Sequence, residues 1–231
     1  MSIADNLHRL EERIEKACIR SGRDRSSVRL MGVSKFHGLS SVEEAYAAGL
    51  RLFGENRVQE AAEKFDGFAL SHPGAELHLI GSLQRNKVKA ALSLFDCVQS
   101  VDRDSLIREL AKHCGGRPKP LGILLELHTG EESKSGFPGE DSLYRAAETL
   151  ASCPGLLPLG LMTMAPFTEE KEKIRASFRA LVKAGNGLRE RFPQWDWSCL
   201  SMGMSGDFEI AIEEGSTLLR IGTLIFGERN R

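Results

Sequence analysis

A lysine closes the first strand-length apolar run of the chain. In Arg29-Leu30-Met31-Gly32-Val33-Ser34-Lys35, strand alternation puts Met31, Val33 and Lys35 on one face and Leu30, Gly32 and Ser34 on the other. Lys35 therefore leaves from an apolar face. Two readings are open: a solvated amine at a strand end, or an amine drawn partly out of water, its pKa below about 10.4, able to form a Schiff base with a carbonyl compound. A second stretch, Ser201-Met202-Gly203-Met204-Ser205-Gly206-Asp207, is a Gly/Ser-rich loop that opens into a helix. Its N–H groups, its hydroxyls and the positive helix end suit an anion, although an ordinary capped loop with Ser205 or Asp207 as N-cap accounts for it equally. In a third stretch, Arg220-Ile221-Gly222-Thr223, Arg220 shares a face with Leu218 and Gly222. Inside a fold that arginine needs an anionic or acceptor partner; on the outside it makes a peripheral salt bridge. Gly222 permits close backbone approach, and Thr223 offers an N–H and a hydroxyl.

These groups meet only if the strands that carry them are neighbours. Apolar strand-like runs occur at 28–35, 50–55, 76–81, 97–101, 121–127, 157–164, 197–202 and 217–221. Helical patterns separate them: one capped by Ser40 or Ser41 and closed by Gly49, then 58–65, 86–95, one capped by Asp102 or Asp104 and running to His113, then 141–151, 168–191 and 207–214. Ile3, Leu7, Leu10, Ile14 and Cys18 recur at helical spacing ahead of the first strand, predicting an extra N-terminal helix on the outside. No two-residue hairpin turn separates successive runs, so the strands pair in parallel through crossovers. The economical architecture is α/β, a closed (β/α)8 TIM-type barrel forming one domain over residues 1–231. A doubly wound open sheet is the alternative, but no G-x-G-x-x-G turn follows the first strand.

In such a barrel the ligand site lies at the carboxyl ends of the strands, with phosphate commonly held by the loops after strands seven and eight. Closure makes strands one and eight neighbours, so Lys35 and Arg220 can reach one small ligand. A phosphorylated carbonyl compound fits both groups, and pyridoxal 5′-phosphate (PLP) is the commonest candidate.

Composition excludes several other classes. The 31 basic and 32 acidic side chains give a net charge of −1, with no dense Lys/Arg track to bind nucleic acid. No apolar stretch has membrane-spanning length. Cys18, Cys97, Cys114, Cys153 and Cys199 are odd in number and form no C-x-x-C pair, as expected of reduced thiols in the cytoplasm. The N-terminus starts with a capping-box pattern and shows no signal sequence. The six histidines never stand at metal-ligand spacing, so no metal site is expected.

Five motifs carry a family resemblance: Val33-Ser34-Lys35, Gly54-Glu55-Asn56-x-Val58-Gln59-Glu60, His78-x-Ile80-Gly81-x-Leu83-Gln84-x-Asn86-Lys87, Gly160-Leu161-Met162-Thr163-Met164, and the run from Ser201 to Gly227. Together they span almost the full chain, which resembles the pyridoxal-phosphate homeostasis protein family. The resemblance implies a barrel similar to the alanine racemase N-terminal domain, PLP fold-type III without the C-terminal β domain. It implies Lys35 as the Schiff-base lysine and Ser205, Gly206, Gly222 and Thr223 as the phosphate cup. Asn56 and Met164 would line the ring pocket, Ser201 would lie near the phosphate loop, and Arg220 would face either the pyridine nitrogen or the phosphate. Facing the nitrogen, a charged arginine would disfavour ring protonation and weaken the electron sink of amino-acid chemistry.

The implied role is vitamin B6 homeostasis: a monomer that holds and buffers PLP without catalytic turnover, with PLP-dependent apoenzymes as partners. The sequence departs from the family pattern at Phe36-His37-Gly38 and at Leu127-His128, which concerns loop shape and mouth polarity. His128 is either an acid or base at the mouth or a satisfied polar residue. His78 either orients groups around the site or is a buried structural histidine. Glu131, Glu132 and Lys134 match a family segment and otherwise read as a solvated charge run. A PLP-dependent racemase is an alternative, but it needs a second proton-transfer group, commonly a tyrosine from an additional domain; Tyr46 and Tyr144 fall in predicted helices. A cofactor-free sugar-phosphate enzyme, which would be colourless, is the other.

Overall fold

Eight short parallel strands close into a barrel in sequence order: β1 (Arg29–Val33), β2 (Leu52–Glu55), β3 (Glu76–Leu79), β4 (Cys97–Val101), β5 (Leu121–Glu126), β6 (Leu156–Met162), β7 (Cys199–Ser201) and β8 (Leu218–Ile221). They come from a computed structural model that describes residues 2–130 and 135–228. The closing seam pairs β1 with β8, setting Met31 against Arg220 and Gly32 against Ile221. Helices pack around the barrel: α1 (Ile3–Arg20), α2 (Leu39–Ala47), α3 (Val58–Phe65), α4 (Phe68–Ser71), α5 (Val88–Leu94), α6 (Asp104–His113), α7 (Glu140–Leu150), α8 (Lys171–Arg191), α9 (Phe208–Glu213) and α10 (Thr223–Phe226).

Most strand residues are buried because each strand has two covered faces, as in all-parallel sheets generally. Met31, Leu52 and Leu218 form one apolar patch inside the barrel, and Cys97, Leu124 and Met162 form another. The opposite faces, among them Phe53, Leu79, Val98, Ile123, Leu161 and Ile221, join the apolar faces of the helices in the larger core. The extra N-terminal helix lies outside, against α2, α9 and α10. Its capping box is complete: Ser2 Oγ accepts the Asp5 N–H and Asp5 Oδ2 accepts the Ser2 N–H, both at 3.1 Å. All five cysteines are free thiols. Among the described residues no helix is long and apolar enough to cross a membrane.

The elements follow the expected order, while several helix starts differ. Ser40 and Ser41 lie inside the first turn of α2, whose N-cap is Gly38. Asp104 is the first residue of α6, with Arg103 at the cap, and α8 begins at Lys171, not near 168. In each case the extended backbone of the cap residue marks the break (ψ of 172° at Gly38, 149° at Arg103 and 94° at Glu170). No side-chain cap bond holds these starts, so the usual hydroxyl or carboxylate signal misplaces them. The short helices α4 and α10 are single turns with too little periodicity to stand out in the sequence.

Candidate functional site

Buried polar side chains stand inside the barrel on β3, β4, β7 and β8: His78, Gln99, Ser201 and Arg220. Leu218 and Arg220 share the inner face of β8, as expected, while Gly222 lies just beyond the strand as the N-cap of α10. Arg220 is 4% exposed, which rules out the peripheral salt bridge that its type alone allowed. Its Nη1 donates to Ser201 Oγ at 2.7 Å and its Nη2 to Thr163 O at 2.8 Å. Burial lowers its pKa to about 10, so it remains a cation at neutral pH.

Behind Arg220 runs a line of polar groups across the barrel. Ser201 Oγ donates to Gln99 Oε1 at 2.7 Å, Gln99 Nε2 lies 2.9 Å from His78 Nδ1, and His78 Nε2 lies 3.6 Å from Glu76 Oε2. Arg29 completes it, donating to Glu76 at 2.9 Å. The two charged ends give the line a direction. A carboxylate beside Nε2 favours the tautomer protonated there, leaving Nδ1 to accept from the Gln99 amide; Gln99 Oε1 then takes the Ser201 proton, and Ser201 Oγ takes the Arg220 N–H. Every buried polar atom from Arg220 to His78 is then satisfied. The nearby His78 ring, with help from the Arg29 guanidinium, holds Glu76 at a pKa of about 2. His78 is thus a buried residue that orients its neighbours. Gln99 was not anticipated as part of the site, nor was Glu126, a buried carboxyl on β5 whose pKa is raised by burial and then by Asp102.

The other anticipated residues lie at the carboxyl ends of the strands. Lys35 follows β1 by two residues and is half-buried. Asn56 immediately follows β2, with its backbone against Gly81: a Cβ on Gly81 would come within 2.2 Å of Asn56 O, so only glycine fits there. Met164 follows β6 by two residues and is half-buried. Ser201 ends β7 and is fully buried. Ser205 is half-buried and Gly206 exposed in the loop before α9, while Gly222 and Thr223 form the turn into α10.

The loop after β7 depends on Gly203, whose φ is +97° and whose added Cβ would meet Ala211 Cβ at 2.6 Å. Its carbonyl accepts the Arg220 N–H at 2.9 Å, tying the loop to β8. Asp207 stands at the N-cap position of α9, but its carboxylate accepts the Met204 N–H at 2.6 Å and so closes the loop on itself instead of capping the helix. His128 lies half-buried after β5, where its N–H donates to Phe137 O at 2.9 Å. Glu131, Glu132 and Lys134 lie outside the described residues. Among the described residues no cluster of His, Cys, Asp or Glu could hold a metal ion.

Residues 5–230 match the family model described as alanine racemase, N-terminal domain. A pyridoxal phosphate homeostasis protein of Aquifex aeolicus is 40% identical over 229 residues, covering 99% of both chains. The chain belongs to the pyridoxal phosphate homeostasis protein family. The family member of Escherichia coli K12 is 38% identical over 231 residues, covering 99% of this chain and 97% of that one. A solved structure of PipY from Synechococcus elongatus, with PLP bound, superposes with a TM-score of 0.83 at 34% identity, covering 98% of this chain and all of that one. Alanine racemase from Bacillus anthracis shares the fold at a TM-score of 0.70 and 14% identity, with this chain spanning 57% of its length. The barrel of this homeostasis-family chain is therefore the racemase-type barrel.

Proposed function

We propose that this chain acts as one PLP-binding unit, holding PLP covalently through Lys35 at the barrel mouth and serving intracellular PLP homeostasis without amino-acid turnover. The observation that carries this reading is the β1–β8 seam. Met31 on β1 is paired with Arg220, and Lys35 is half-buried in the turn two residues past the end of β1, a placement from which its amine would share one mouth with the buried cation. The residues fit the cofactor. A Cβ on Gly206 would meet nothing within 4 Å, leaving its backbone open to an anion, and Gly222 lies close to Val33 O, next to the root of Lys35.

When bound, PLP supplies an aldehyde that condenses with an amine, releasing one water, and a conjugated ring that colours the complex. Lys35 provides that amine. Ser205, Gly206, Gly222 and Thr223 hold the phosphate through N–H groups and hydroxyls, and Asn56 and Met164 border the ring. Ser201 fixes Arg220, whose remaining N–H groups offer positive charge to the ring nitrogen or to the phosphate. Arg220 has no reason to release a proton at neutral pH, so beside the nitrogen it would keep the ring unprotonated and the electron sink weak.

The tyrosines support a role without racemisation. Among the described residues both lie on outer helices with their hydroxyls engaged, Tyr46 donating to Pro73 O at 2.9 Å and Tyr144 to Glu140 Oε2 at 3.2 Å. The free thiols and the absence of a spanning helix among the described residues fit a cytoplasmic protein, with PLP-dependent apoenzymes as recipients. Mixing the purified protein with PLP should give a visible band that Lys35→Ala abolishes. A band unchanged in Lys35→Ala would defeat the assignment of Lys35, and racemisation of any amino acid at ordinary enzymatic rates would defeat the homeostasis reading.

A further inference from the structure

The two peptide groups that flank Lys35 are both held by one helix. Lys64 Nζ donates to Ser34 O at 2.8 Å, on the near side of Lys35, and Glu60 Oε1 accepts the Phe36 N–H at 2.6 Å, on the far side. Glu60 and Lys64 stand one turn apart on α3, 3.6 Å from each other. Glu55, on the outer face of β2, completes the cluster: its Oε1 accepts Lys64 Nζ and Ser34 Oγ, each at 2.6 Å. Glu55 is fully buried and the Lys64 side chain is 7% exposed, while Glu55 Oε2 is buried without a hydrogen-bond partner.

Such a cluster is a poor source of net stability, because desolvating its charges offsets their attraction. What it does provide is geometry. Phe36 has a φ of +68°, and among the described residues it is the one non-glycine residue in the left-handed region. A bulky residue adopts that conformation only where its surroundings impose it. Here the acceptor on its N–H and the donor on Ser34 O fix both ends of the turn, and Lys35 projects from between them. Burial raises the pKa of Glu55, against the opposing pull of the hydrogen bonds from Lys64 and Ser34.

We propose that Glu60 and Lys64, supported by Glu55, are positioning residues for Lys35: an i,i+4 clamp that sets the turn and aims the amine into the barrel mouth before any ligand arrives. The inference rests on Lys35 being the PLP lysine and adds the device that presents it. The clamp stands behind the β1 loop and holds Lys35 through the peptide groups on either side of it.

Glu60→Ala removes one jaw and leaves the buried Glu55–Lys64 pair intact, whereas Glu60→Gln keeps an acceptor in place. Two measurements separate the possibilities. In protein without PLP, exchange of the Phe36 amide should accelerate about tenfold or more in Glu60→Ala and return close to wild type in Glu60→Gln. When PLP is added, capture by Lys35 in stopped flow should slow about tenfold in Glu60→Ala and recover in Glu60→Gln, because misaiming a reacting group by an ångström costs up to about a hundredfold. Thermal unfolding of both variants should remain close to wild type. Unchanged Phe36 exchange, or capture by Glu60→Ala within about twofold of wild type, overturns the clamp and leaves Lys35 as the PLP lysine. A wild-type protein that captures no PLP overturns the functional reading, and this inference with it.

Discussion

Ser201→Ala tests whether the line from Arg220 to Glu76 is a connected network. Ser201 Oγ accepts from the Arg220 guanidinium and donates to Gln99 Oε1, both at 2.7 Å, and its side chain is fully buried. Deleting the hydroxyl removes one hydrogen bond to a charged group, about 1.5–3 kcal/mol, and one neutral bond, about 0.5–1.5 kcal/mol. The total is about 2–4.5 kcal/mol, with both former partners left inside the barrel. For a chain of this length each kcal/mol lowers the melting temperature by roughly 2–4 °C. Urea unfolding of Ser201→Ala, Gln99→Leu and the double variant gives a thermodynamic cycle. The two sites touch, so the double variant should lose less stability than the two singles combined, by about 0.5–3 kcal/mol. A Ser201→Ala cost below about 0.5 kcal/mol, or an additive cycle, would refute the network.

Arg220→Gln should keep the barrel folded but weaken PLP retention by about 1.5–3 kcal/mol, roughly 10- to 150-fold in Kd, as measured by equilibrium dialysis; unchanged affinity would make Arg220 peripheral to the ligand. Gly203→Ala forces an L side chain into a φ of +97° and against Ala211, at about 1–2 kcal/mol for the backbone and about 1–3 kcal/mol for overpacking, and chemical denaturation should show the sum. Glu76→Gln tests pH dependence. The carboxyl has a folded pKa of about 2 against an ordinary 4.5, so its contribution is present above 4.5 and fades as pH falls towards 2. Urea midpoints of the wild type and of Glu76→Gln should differ at neutral pH and converge in acid, by a margin kept modest by the half-exposed side chain; a constant gap would contradict the pairing with His78 and Arg29.

The barrel was legible because its strands are short apolar runs with helices between them, and parity along β8 was enough to put Arg220 on the inner face beside Leu218. Gln99 was not legible. In Cys97-Val98-Gln99-Ser100-Val101 the adjacent polar pair Gln99-Ser100 gives no sign of which face turns inward; only barrel closure, which brings β3, β4, β7 and β8 around one interior, makes Gln99 a link between His78 and Ser201. Glu126 escaped notice for the same reason, at the end of a strand that is otherwise all apolar. The clamp behind Lys35 draws on Glu55 and Glu60, which belong to a recognisable motif, and on Lys64, which does not. Their role depends on α3 docking one turn against the β1 loop, and helical periodicity alone cannot supply that register. Asp207 has the right type and position for an N-cap, but a nearer donor, the Met204 N–H, takes its carboxylate.

The most direct test of the account is where PLP attaches. Borohydride reduction of the PLP-loaded protein, followed by trypsin and mass spectrometry, should place the label on Lys35, in a peptide spanning 30–51 because trypsin does not cleave at a modified lysine. Label on any other lysine, or none at saturating PLP, would contradict the account.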